Sequence, residues 1–169
     1  MTQGQRRAAL RSLSGESLLQ TLRGDDAPIP CFRNALSQGT ERLFALYDEG
    51  VPVGDLVSAR CQVVDTLVRE AWSLHMPADA GAALVAVGGY GRQELHPASD
   101  VDILILVSEI EQGALRSALE GLIVFLWDIG LEVGSSVRTV DECVSEARED
   151  VTVVTNLIES RLLARISEM

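Results

Sequence analysis

Two aspartates one residue apart, Asp100 and Asp102, stand at the head of an apolar segment, and the glycine pair Gly88-Gly89 closes the apolar segment before it. Glycines let backbone N–H groups approach a phosphate because no Cβ stands in the way. Side chains two residues apart on a strand point to the same face, so the carboxylates project side by side, roughly 6–7 Å apart at Cα. Carboxylate pairs bind divalent cations, which in turn bind nucleotide phosphates. The pattern therefore predicts a metal and nucleoside-triphosphate site, as nucleotidyl transfer requires.

The apolar segments around these residues predict strands. Residues 82–87 and 101–107 are short runs of alanine, leucine and β-branched residues bounded by turn residues, and 131–139 predicts a third strand. The run after Asp102 is apolar on both faces, so carboxylates at its start are costly unless a cation neutralises them. This cost favours a chemical role for the two aspartates over a role as solvated loop charges.

Helical patterns precede, separate and follow the strands. The predicted helices cover residues 1–24, 31–49, 54–76, 111–128, 139–147 and 151–165. Phe44 and Tyr47 lie on the apolar side of the second helix, and Trp127 is expected in the core. Thr139 begins a capping box, and Asp150 is expected to cap the last helix.

This order of elements predicts an α/β fold, with a small mixed sheet preceded by a helical region. We expect a helical N-terminal region over residues 1–78 and a core with the carboxylate pair over 79–169. With the last helix placed at 151–165, the sequence stops without a closing strand. The chain is therefore expected to be the front part of a longer protein, truncated at its carboxyl end.

Composition and charge limit the partners and the cellular compartment that we expect for this protein. The formal net charge of −11 disfavours sequence-independent nucleic-acid binding, because the surface repels a phosphate backbone. The 169 residues contain no apolar run long enough to span a bilayer and no secretory signal. Three well-separated cysteines are typical of thiols in a reducing compartment. We therefore expect a cytoplasmic protein with neither nucleic acid nor membrane as a partner.

The order of glycine pair, spacer and D-x-D resembles the DNA polymerase β-like nucleotidyltransferase superfamily. The longer pattern is similar to one branch of it, the bacterial PII uridylyltransferase/uridylyl-removing enzyme family. The resemblance is strong from about residue 84 to 163. It is carried by the segments 88–102 (GGYGRQELHPASDVD), 126–139 (LWDIGLEVGSSVRT) and 155–163 (TNLIESRLL).

The resemblance implies a reaction and a set of site residues. Gly88 and Gly89 would cradle the triphosphate, while Asp100 and Asp102 would hold Mg²⁺. UMP would pass from UTP to a tyrosine of the nitrogen-regulatory PII protein, with release of pyrophosphate. Because the pKa of a tyrosine is ordinarily near 10, the metal or a nearby carboxylate must help to remove its proton.

A third carboxylate is usual in the superfamily. Glu132, at the start of the third predicted strand, is one candidate, and its alternative is a surface glutamate at the end of a strand. Glu159 is a rival, although a helical glutamate near Arg161 also fits a solvated ion pair. The sequence leaves this assignment open.

Other polar residues near the motif could bind the nucleotide or have a structural role. Arg92 can bind phosphate through bidentate hydrogen bonds or pair with Glu94. Ser99 can donate to a phosphate or cap the turn. His96 is expected to stabilise the loop rather than act as a base, and Arg138 to form a structural salt bridge.

The chain departs from the family pattern at two positions. Residue 93 is glutamine where glycine is expected, which adds a side chain to the phosphate loop, and residue 135 is serine where the family often has histidine. Two alternatives stay open beside uridylyl transfer. One is adenylyl transfer to a protein or small molecule, and the other is an inactive, truncated module that responds to nucleotide. Family members carry hydrolase and regulatory domains that these 169 residues do not contain, so the isolated chain is expected to lack those functions.

Overall fold

The computed structural model describes Gly4, Ala9, Leu10, Leu13 and residues 27–109 and 113–166. The helix predicted over 1–24 lies almost entirely outside these residues. The elements follow the chain in this order: α1 Pro28–Asp48, α2 Val53–His75, β1 Ala82–Ala86, α3 Gly88–Gly91, β2 Val101–Val107, α4 Ala114–Asp128, β3 Val133–Arg138, α5 Val140–Glu149, α6 Val151–Ile158 and β4 Arg161–Ile166. No helix of the described chain is both long and apolar enough to cross a bilayer.

The four strands form one mixed sheet in the order β3-β2-β1-β4. Strand β1 runs antiparallel to both β2 and β4, whereas β2 and β3 are parallel. In the parallel pair, Val101 aligns with Val133 and Asp102 with Gly134. This arrangement confirms the predicted α/β class with a small mixed sheet preceded by helices.

The two faces of the sheet are covered by different helices. Alternation along β2 sends Ile103 and Ile105 into the main core, which they share with α1, α2 and α4. Leu104 joins Cys143 of α5 in a smaller cluster on the opposite face, against which Leu157 of α6 packs. Asp102 has the parity of Leu104, so its carboxylate lies on the face that α5 and α6 partly cover.

The predicted helix 151–165 is wrong in its second half. Helix α6 ends at Ile158, and residues 161–166 form β4, which closes the sheet against β1. The expectation that the sequence lacks a closing strand is therefore wrong as well. A free edge on the fully buried strand β1 would leave unpaired backbone groups, and pairing with β4 satisfies them despite the helix-forming residues of this segment.

Three aromatic side chains lie outside the core in which they were expected. Trp127 is 56% exposed, and Phe44 and Tyr47 are exposed to a similar degree. Both N-terminal caps, in contrast, are confirmed. The Thr139 hydroxyl accepts a hydrogen bond from the Glu142 N–H at 3.2 Å, and Asp150 accepts one from the Thr152 N–H at 2.7 Å. The caps were predictable because they depend on residues close in sequence. The exposure of the three aromatic side chains was not, because it depends on long-range packing.

Candidate active site

Asp102 lies between two glycines that come from different elements. A Cβ placed on Gly134 of β3 would stand 2.6 Å from Asp102 Oδ1, and one placed on Gly88 would stand 3.6 Å from Oδ2. The register of β2 and β3 brings Gly134 beside the carboxylate, and a hydrogen bond from the Val87 N–H to the Asp102 carbonyl brings Gly88 there. The lack of a side chain at Gly134, and to a lesser extent at Gly88, thus lets these backbone segments lie close to the carboxylate.

The charge of the Asp100 and Asp102 carboxylates is not balanced by a cationic side chain from the part of the chain that the structure describes. Within the described ranges neither takes part in an ion pair. Burial of the carboxyl group, and then the negative charge of Asp100, raise the pKa of Asp102. Two neighbouring carboxylates without a protein partner form a site that a divalent cation would stabilise.

The donor set of this pair fits Mg²⁺. Magnesium is a hard cation that is commonly held by one or two carboxylates together with substrate phosphates and water. Glu132 lines an open cleft with Asp100, but the described residues contain no group of three or more histidine, cysteine or acidic side chains placed to hold one metal ion. A third carboxylate ligand therefore stays a prediction.

The glycine turn is a single turn of helix, α3, that directly follows β1. Gly88 has φ +58°, a conformation that favours glycine, and the Arg92 N–H donates to its carbonyl at 3.1 Å. The first N–H groups of such a turn have no partner within it. At the other end, a Cβ on Gly91 would stand only 2.1 Å from the Glu159 carbonyl oxygen, so this glycine is required for packing.

Arg92 is engaged by two glutamates rather than exposed as an unpaired cation. Its guanidinium donates to Glu94 at 2.8 Å and also to Glu159. These hydrogen bonds, with Glu94 and then Glu159, raise the pKa of Arg92. The predicted Arg92–Glu94 pair is present, and Glu159 pairs with Arg92 rather than with Arg161. A phosphate would have to compete with both carboxylates for this guanidinium.

A buried ion pair holds the glycine turn against the helical region. Asp65 of α2 is 7% exposed, and Arg161 of β4 binds it through two hydrogen bonds of 2.7 and 3.0 Å. The same guanidinium donates to the carbonyls of Tyr90 and Gly91 at 3.3 Å each and lies 5.5 Å from the Tyr90 ring centroid. Arg161 therefore connects α2, α3 and β4.

The other predicted residues lie around this centre. Ser99 is exposed, and its N–H donates to the His96 carbonyl at 3.1 Å, which closes a turn before Asp100. His96 is exposed and lines a separate apolar groove between α1 and α2. Arg138 forms the expected salt bridge, with Glu146 at 2.8 Å.

Asn156, Asp65 and Arg161 were not among the site residues predicted from the sequence. A Cβ on Gly88 would stand 3.7 Å from Asn156 Oδ1, so this amide faces the same space as the Asp102 carboxylate. Asp65 had a readable signal, because it is the lone acid within the apolar run from Val63 to Val68. For Asn156 the sequence carried only its place in the third segment that resembles the family.

Gln93 adopts φ +63°, the left-handed conformation in which a side chain is strained. The Gln93→Gly variant is therefore expected to be about 0.5–1 kcal/mol more stable, the relief of strain outweighing the added entropy of the unfolded chain. Urea unfolding with an unchanged m-value measures this. The matched control, Gln62→Gly on the exposed side of α2, should lose about 1 kcal/mol. Equal destabilisation by both variants would contradict the prediction.

Comparison with known proteins agrees with the geometry. A family model described as a nucleotidyltransferase domain matches residues 66–161, which include both glycine and aspartate pairs. The chain is 50% identical over 139 residues, 82% of its length, to the bifunctional uridylyltransferase/uridylyl-removing enzymes of Pseudomonas putida strain W619 and Ectopseudomonas mendocina strain ymp. It is 48% identical over the same length to the enzyme of that name from Pseudomonas fluorescens strain SBW25. The matched region spans only 15%, 16% and 15% of these three relatives, respectively.

Proposed function

Because the chain belongs to the nucleotidyltransferase domain family, we propose that it is the transferase region of a uridylyltransferase. It moves UMP from UTP to a tyrosine of the PII protein and releases pyrophosphate, with Mg²⁺ as the required ion. The observation that carries this proposal is the exposed Asp102 carboxylate, which has no ion-pair partner among the described residues, borders Gly88 and Gly134 and is flanked by Asp100. The names of the three relatives support the choice of uridylyl transfer.

Each part of the site has a distinct task in this reaction. Asp100 and Asp102 would hold the metal, which would supply positive charge to stabilise the negative charge that develops on the leaving pyrophosphate. Gly88 and Gly89 leave their backbone N–H groups accessible to the triphosphate. The Asp65–Arg161 pair keeps this turn beside the carboxylates. Arg92 and Ser99 are the proposed phosphate contacts, Arg92 by exchanging its glutamate partners.

The proposed partners follow from charge and surroundings. The net charge of −11 favours a metal-bound nucleotide and a protein acceptor over nucleic acid. Three cysteines on three separate helices suit a reducing compartment, so we place the reaction in the cytoplasm.

Calorimetric titration with UTP and ATP, each with and without Mg²⁺, tests the proposal. We expect magnesium-dependent binding of UTP that is weaker for ATP and is lost in the Asp100→Asn variant. Tighter binding of ATP would favour adenylyl transfer, the alternative left open by the absence of an identified base-reading residue. A folded protein that binds neither nucleotide would contradict the proposal and favour an inactive module.

A further inference from the structure

An open cleft of about 580 Å³ lies beside Asp100, on the β3 side of the carboxylate pair. Asp100, Trp127, Glu132 and Gly134 contribute to its lining. Its walls are both polar and aromatic. The two predicted metal ligands and the glycine turn explain how the triphosphate would be bound, but they assign no function to this cleft.

Trp127 is the prominent feature of the cleft. It is 56% exposed, whereas Trp72, in the core, is 1% exposed. Its indole N–H donates to the Val133 carbonyl at 3.4 Å, which limits how the ring can turn. The exposed side chains of Val124 and Val137 continue the apolar surface into a neighbouring groove that Trp127 also lines. An oriented, exposed indole beside a polar cleft is typical of a surface that binds a partner side chain.

The sheet order assigns the cleft to one side of the reaction. The glycine turn follows β1, the carboxylates lie on β2, and the cleft lies along β3, so the turn and the cleft flank Asp102 on opposite sides. In-line displacement at phosphorus requires the entering and leaving oxygens to stand on opposite sides. If the glycine turn holds the leaving pyrophosphate, the entering oxygen must approach from the cleft.

We propose that this cleft receives the acceptor tyrosine, with Trp127 packed against its ring and Glu132 accepting its proton; this inference rests on the proposed function. The phenol oxygen forms a bond to the α-phosphorus of UTP. The bond from that phosphorus to the oxygen bridging to the β-phosphate breaks, and its electron pair leaves with pyrophosphate. The phenolic proton passes to the Glu132 carboxylate. Trp127 thereby selects an aromatic acceptor, and it does not contact the nucleotide.

Measuring the affinities for PII and for UTP distinguishes a contact of Trp127 with the acceptor tyrosine from a contact with the nucleotide. The Trp127→Ala variant should bind PII about tenfold more weakly and show a KM for PII raised to the same extent, because an aromatic contact is lost. Trp127→Phe should stay within about threefold of the unaltered protein, since the phenyl ring preserves that contact. UTP affinity with Mg²⁺ should not change in either variant. Phe44→Ala is the matched control, because Phe44 is 58% exposed but lines a different groove.

Binding of a PII protein whose acceptor tyrosine is replaced by alanine completes the test. It should be weak for the unaltered protein and not weakened further by Trp127→Ala, since the two side chains act as a pair. Unchanged PII affinity in Trp127→Ala would overturn the inference while leaving uridylyl transfer intact. A loss of UTP affinity in that variant would also overturn it, by assigning the indole to the nucleotide. Absence of transfer by the unaltered protein would overturn the proposed function and this inference together.

Discussion

The Asp102→Asn variant is expected to catalyse the proposed uridylyl transfer about a thousandfold or more slowly, because it removes a charge that the proposed metal and the transition state both require. Its melting temperature should equal or slightly exceed that of the unaltered protein. The amide has nearly the shape of the carboxylate, and it removes both the burial of a charge and the repulsion from Asp100. Initial rates and thermal unfolding, measured on the same preparation, check both halves of the prediction.

The sign of the stability effect follows from proton linkage. The pKa of Asp102 is higher in the folded protein than in the unfolded chain, so the folded state binds the proton more tightly. The contribution of this group to stability is therefore greatest below the unfolded pKa and declines as the pH rises through the folded pKa. Near neutral pH the ionised carboxylate opposes folding, and Asp102→Asn removes that cost. Metal binding needs the ionised form, so it should weaken as the pH falls toward the raised pKa.

Asp79→Asn is the matched control for this experiment. Asp79 is an exposed aspartate in the turn between α2 and β1, at the end of β1 opposite to the glycine turn, and its replacement should leave the rate unchanged. Near-normal transfer by Asp102→Asn would exclude the proposed metal site. A large fall in its melting temperature would instead mean that the carboxylate has a structural role.

The Asp65→Ala variant is expected to lose about 3–5 kcal/mol of unfolding free energy, because it leaves the partly buried Arg161 guanidinium without its bidentate partner. Arg161 also holds the carbonyls of Tyr90 and Gly91, so the glycine turn should loosen in the molecules that remain folded. Urea unfolding gives the free energy, and UTP affinity in the absence of urea reports on the turn.

Two comparisons make this second prediction specific. Replacing both partners, as in Asp65→Leu with Arg161→Met, should recover much of the stability, because no buried charge is left unpaired. Arg69, which also pairs with Asp65 at 3.7 Å, is half-exposed and stays solvated. Glu120→Ala breaks the exposed Arg116–Glu120 pair, 2.9 Å long, and should cost less than about 0.5 kcal/mol. A loss below 1 kcal/mol in Asp65→Ala would show that the pair contributes little and that other contacts hold the turn.

Much of the fold was predictable because local pattern and burial agree there. Helices α1 and α2 repeat apolar residues at helical spacing, and β1 and β2 are short apolar runs between turn residues. In the segment 161–166, the local sequence pattern does not match the observed structure. Arg161, Leu162 and Leu163 have good helix propensity, yet they form β4 because the edge of β1 needs a partner.

Trp127 is a second case, at a single residue, in which the local sequence pattern did not predict the structure. Helix α4 buries Leu122, Phe125 and Leu126, and the residue that follows them points toward the edge of the sheet. Hydropathy alone places an indole in the core. Whether α4 has a neighbour on that side depends on the strand order, which no local pattern contains.

By itself, the sequence determined the local features of the candidate site. The glycine pair and the alternation of Asp100 and Asp102 are local features, since neighbours along the chain set backbone freedom and the side of a strand. Only the tertiary structure decided what surrounds those groups. It brought Gly134 against Asp102, Asn156 toward Gly88, and Arg161 onto Asp65, pairs separated by 32 to 96 residues. Such contacts arise from strand register and helix packing, which depend on the whole chain at once.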